Sequence, residues 1–80
     1  MPEQLAVDLV VDLNVVDDTG LPWAFLDDAV QPERIRPGAH VLVGSGDAIA
    51  VAVVVDRDGE IVHVRALRGS VRSHLHLLSR

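Results

Sequence analysis

The chain contains no cysteine, no lysine and no tyrosine, and only one Trp and one Phe. Without cysteine there is no disulfide framework, no thiolate metal site and no thiol nucleophile, and the chain suits a reducing compartment. Two aromatics are too few for a base-stacking platform or an aromatic-lined polyproline groove. The longest apolar run, Ala48 to Val55, is eight residues, against about 20 for a membrane-spanning helix. The opening Met1-Pro2-Glu3-Gln4 carries no positive charge of the kind that starts a secretory leader. The expectation is one soluble, cytoplasmic domain over residues 1–80, with no membrane association. A chain this short buries only about 60–65% of its unfolded surface, so its core is thin.

What is present is valine, 15 times in 80 residues. Its branched Cβ favours a pleated surface. All seven basic residues are Arg, which together with the abundant Ala, Val and Asp suggests a GC-rich genome. Charge is segregated. Residues 1–33 hold eight acids and no base, whereas residues 34–80 hold four acids and seven Arg. Such a chain can attract itself across the fold or present two poles to partners.

Leu5 to Val16 alternates, with every odd position apolar and Asp8, Asp12 and Asn14 among the even ones. That period of two predicts a half-buried strand. Asp17-Asp18-Thr19-Gly20 is turn chemistry. Pro32 to Ile35 suits a single helical turn with Pro first, stopped before Pro37. His40–Val43, Ala48–Asp56 and Glu60–Leu67 read as three more strands. Residues 71–78 fit either a short helix capped by Ser70 or a closing strand.

Asp58-Gly59 is the strongest hairpin signal. Taken as the two loop residues, they place Val55, Val53 and Val51 opposite Val62, Val64 and Ala66 on the core face. The other face then pairs Asp56 with Ile61, Val54 with His63, Ala52 with Arg65 and Ala50 with Leu67. It is half apolar, and small monomers rarely leave such a patch wet.

A strand, a long first loop over residues 14 to 37, three short strands joined by tight turns and a short final element: this order resembles a Src-homology-3-like barrel. The resemblance implies a small, mainly β barrel of about five short strands with one short helical turn. Asp12-Leu13-Asn14, the run from Thr19 to Asp27, Pro37-Gly38 and the run from Val62 to Leu67 are also similar to a group of small actinobacterial proteins. No function is assigned to that group, so the resemblance implies no activity.

The candidate sites are few. His63, His74 and His76 could supply metal ligands, for a metal-binding protein or a metal-dependent enzyme, but their spacing matches no complete zinc pattern. Asp17, Asp18, Asp27 and Asp28 flank the aromatics. They lack the calcium-loop pattern and read as a solvated acidic surface able to dock a basic partner. Trp23 and Phe25 read first as a core plug and second as an interface anchor. Arg65, Arg68 and Arg72 could form a basic strip for nucleic acid, but the acidic balance of the chain argues against it. No catalytic residue and no cofactor site stands out. The expected function is a non-catalytic interaction or regulatory module that forms a homodimer. Its surface would comprise Asp17, Asp18, Trp23, Phe25, Asp27, Asp28, Val54, Ile61, His63 and Arg65.

Overall fold

Valine-rich segments punctuated by glycines become an antiparallel meander in the computed structural model, which describes residues 7–78. Its strands are β3 (His40–Ser45), β4 (Ala48–Asp58) and β5 (Ile61–Ala66). Both turns place glycine first with positive φ, Gly46 at 60° and Gly59 at 62°, as a II′ hairpin turn requires. The second turn is therefore Gly59-Glu60, closed by the Asp58–Ile61 pair, and not the expected Asp58-Gly59. A turn at Asp58-Gly59 of the I′ type would force Asp58 to positive φ as well, a conformation that glycine adopts more readily than aspartate.

The hairpin faces are corrected too. A β-bulge between Val54 and Asp56 leaves Val55 unpaired, so Asp56 lies opposite His63 but Val54 lies opposite Val64. A one-residue slip turns every side chain to the other face. Ala52 and Val54, rather than Val51, Val53 and Val55, therefore join Val62 and Val64 inside. Val54, expected on the interaction surface, is 1% exposed in the core.

Two short strands complete the sheet: β1 (Leu9–Val10), parallel to β3, and β2 (Trp23–Phe25), antiparallel to β5. The order is β1-β3-β4-β5-β2. Across the remaining seam Leu9 bridges Ala29 and Val16 bridges Pro22. From Leu9 to Val16 and from Ala29 back to Pro22 is seven residues each, so the two segments run antiparallel in one register. The result is a small, nearly closed five-stranded barrel, as the order of elements led us to expect.

The long first strand expected over Leu5–Val16 is much shorter. Leu5 and Ala6 lie outside the described residues. Beyond Val10 the alternation survives, with Leu9 and Val11 buried and Leu13 packed against the core. Hydrogen bonding does not, because the Asp12 side chain accepts the Asn14 N–H at 3.0 Å and its carbonyl accepts the Val15 N–H at 3.1 Å. A local aspartate turn has outcompeted the ladder.

Leu9, Val11, Ala24, Leu26, Ile35, Val41 and Val43 fill the barrel with the four residues from the hairpin. Each large side chain so buried contributes roughly 1.5–3 kcal/mol. The turn at Pro32–Arg34 is a 3-10 turn that delivers Ile35, fully buried, to one end. The ambiguous C-terminal segment is helical. Ser70 Oγ accepts the Ser73 N–H at 3.3 Å, opening the helix α1 (Val71–His74), followed by a 3-10 turn over Leu75–Leu77. α1 packs on β4, on whose outer side the paired Leu42 and Val51 are buried. Part of the outer face of the hairpin is thus covered by its own chain. Among the described residues no helix is long and apolar enough to cross a membrane.

Gly44 sits in β3 at φ 145°, and a Cβ there would overlap the Ala48 carbonyl oxygen and the Ile49 backbone. Gly44→Ala is expected to cost at least about 3 kcal/mol, a fall of about 12 °C or more in melting temperature. Gly59→Ala, with open space around its Cβ position, should cost about 1 kcal/mol from φ alone. Thermal unfolding followed by circular dichroism compares them, and equal melting points would show that the close β3–β4 approach imposes no constraint.

Candidate interaction surface

Ala24 opposite Val62 fixes which way β2 faces. Both are buried inside, so strand alternation puts the neighbours Trp23 and Phe25 outside. The expected core plug is not one; Ala24 and Leu26 fill that position. Trp23 lies opposite His63 and Phe25 opposite Ile61. One strand further, Asp56 lies opposite His63 and Asp58 opposite Ile61. The outer wall therefore carries two rows, Phe25–Ile61–Asp58 and Trp23–His63–Asp56. A third begins with Arg65 opposite Val53.

The aromatic rings meet edge to face, with centroids 5.4 Å apart at 85°, a favoured geometry for the ring quadrupoles. Phe25 is 51% exposed, uncommon for the only Phe of a small domain. Beside the rings His63 is held between two carboxylates. Its Nε2 lies 2.5 Å from Asp17 Oδ2 and its Nδ1 lies 2.8 Å from Asp56 Oδ1. Only the doubly protonated imidazolium can donate to both. The predicted turn holds Asp17 in place: its other carboxylate oxygen accepts the Thr19 N–H at 2.9 Å and the Thr19 hydroxyl. The clamp thus ties the first loop to β4 and β5.

The electrostatics follow from these bonds. The Thr19 hydroxyl, and after it His63, hold the Asp17 carboxyl down at about 2 from an ordinary 3.8. Asp17 first and Asp56 second raise His63 above its ordinary 6.5, against the smaller opposing effect of burial. With both ring nitrogens engaged, His63 has no lone pair to offer as a general base or ligand in this state.

Of the other expected residues, Arg65 lies on this wall. Asp18 is exposed beside the clamp, and Asp27 and Asp28 are exposed in a 3-10 turn over Leu26–Asp28 that follows β2. Val54 is inside the barrel. His74 Nε2 lies 2.5 Å from the Arg68 carbonyl oxygen, and His76 is exposed in the last turn, so neither joins His63. Among the described residues no three His, Asp or Glu side chains are placed to hold a metal. Arg68 and Arg72 are exposed around the start of α1. A separate cleft of about 190 Å³ opens between Asp8, Arg34, His40 and Leu77, smaller than most ligand pockets. Asp56, Asp58 and Thr19 were missed. The first two were hidden by the bulge and turn register, and Thr19 was read only as part of a turn.

The clamp generates a pH dependence. His63, raised in the folded state, adds stability that is complete below 6.5 and disappears as pH rises through its folded value. Asp17, lowered, adds stability that is complete above 3.8 and disappears as pH falls towards about 2. The clamp is strongest between those limits. Proton NMR of the His63 ring should give a midpoint above 6.5, lowered more by Asp17→Asn than by Asp56→Asn. A midpoint at 6.5 in the unaltered chain would mean that the ring is not clamped in solution.

No family model, no curated protein and no solved structure matches this chain, so its function is to be read from the geometry of this wall.

Proposed function

We propose that this protein is a non-catalytic interaction module that self-associates through the outer wall of β2 and β5. One observation carries the reading: the only two aromatics of the chain stand side by side outside a barrel whose interior is filled without them. Aromatics are enriched where interfaces concentrate their binding energy. Placing them outside leaves apolar area in water, a cost that a partner would remove. The engagement of both His63 nitrogens supports a non-catalytic role. A cysteine-free chain suits the cytoplasm as its setting.

A stable dimer commonly buries about 800 Å² per partner. Sedimentation equilibrium is expected to show a concentration-dependent dimer. Phe25→Asp should weaken it at least about tenfold while leaving the melting temperature of the monomer nearly unchanged, because Phe25 packs outside the core. A chain that stays monomeric at millimolar concentration, or a dimer indifferent to Phe25→Asp, would remove this reading.

A further inference from the structure

On the same wall two charges lack partners. Arg65 and Asp58 are both exposed, and neither side chain has an ion pair or hydrogen bond among the described residues. Asp58 shares a row with Ile61 and Phe25, and Arg65 lies four positions beyond Ile61 on β5. At about 3.3 Å per residue the two rows are roughly 13 Å apart, too far for the charges to meet within one chain. The wall therefore carries Asp58 at its Phe25 end and Arg65 at its other end, with the Trp23 ring and the His63 clamp between them.

Such a surface is complementary to itself. We infer that a second copy of this chain docks on the β2–β5 wall about a two-fold axis through the Trp23–His63 row, setting Arg65 of each copy against Asp58 and Phe25 of the other. The inference rests on the self-association proposed above and names its geometry. A two-fold interface brings the same patch from both copies together, so each contact occurs twice. Antiparallel superposition of the two walls places the Arg65 row of one over the Phe25–Ile61–Asp58 row of the other. The guanidinium then finds a carboxylate and an exposed aromatic face, each of which attracts a cation. The two Trp23 rings come together near the axis and are withdrawn from water. Asp17 and Asp56 remain with His63, and this clamped triad carries a net charge of −1 that faces its own copy across the axis. That repulsion is opposed by two new ion pairs and by the withdrawal of four aromatic rings from water. The opposite arrangement, with strands parallel, would lay each row over the same row of the other copy, bringing Asp58 towards Asp58 and Arg65 towards Arg65, which like-charge repulsion disfavours.

Charge reversal tests the geometry on the full chain. Asp58→Arg and Arg65→Asp are exposed changes, and each creates two like-charge contacts per dimer. Each alone should raise the dimer dissociation constant at least about tenfold, and the double variant should restore it. Sedimentation equilibrium at low and high salt gives the constants, and the association should weaken as salt rises. Single reversals that leave the constant unchanged, while Phe25→Asp still disperses the dimer, would overturn this docking geometry alone. Indifference to Phe25→Asp as well would remove the self-association reading with it. A monomeric chain that binds a poly-arginine peptide through Phe25 would give the wall to a basic partner and overturn the proposal.

Discussion

The pairing of β5 with its two neighbours is the constraint on which everything else depends. Val62 and Val64 must be inside, because the alternate positions of β5 carry His63 and Arg65, which are costly to bury. Once they are, Ala24 follows Val62 inward and the aromatics on either side of Ala24 have only the solvent side left. On β4 the bulge at Val55 resets the alternation. It brings Ala52 and Val54 inward while aiming Asp56 and Asp58 at the same outer wall as His63 and Ile61. A single extra residue in one strand thus builds both the core and the surface charge pattern.

The His63 clamp shows how a long first loop is held without a large core. Residues 14–37 hold only one short strand and two 3-10 turns, and their backbone finds few partners in the sheet. Asp17 compensates from the loop side. Its local bonds to Thr19 orient the carboxylate before it reaches His63, so little freedom is lost when the contact forms. The same arrangement engages both ring nitrogens of His63 and gives the aromatic wall a defined edge. Fold stability and surface display are therefore one arrangement of side chains on β2, β4 and β5.

Much of the fold could be read from local pattern. The meander, the turn at Asp17–Gly20, the single turn at Pro32 and the capping role of Ser70 depend on residues within a few positions of one another, where propensity and side-chain chemistry act alone. The barrel with a long first loop followed from the order of those elements. The site was partly legible. Asp17, Trp23, Phe25, Ile61, His63 and Arg65 were all candidates, and the structure brings them to one wall. Val54 was misplaced and Asp56 and Asp58 were missed for one reason, the hairpin register. That register depended on a turn that starts at Gly59, one position later than the Asp58-Gly59 motif suggested, and on a bulge that leaves no periodic trace among valines and alanines. Leu5–Val16 misled differently: its alternation is real, but the Asp12 turn claims the hydrogen bonds.

By itself the sequence determined the class of structure: short valine-rich strands, tight glycine turns and a cysteine-free chain with acid in front and arginine behind. These follow from composition and near-neighbour pattern, which one dimension records in full. Only the tertiary structure decided which face of each strand is inside, and hence that the aromatics are outside, that His63 lies between Asp17 and Asp56, and that Arg65 and Asp58 share a wall with no side-chain partner among the described residues. Facing is set by pairing between residues far apart in the chain, and a shift of one position inverts it.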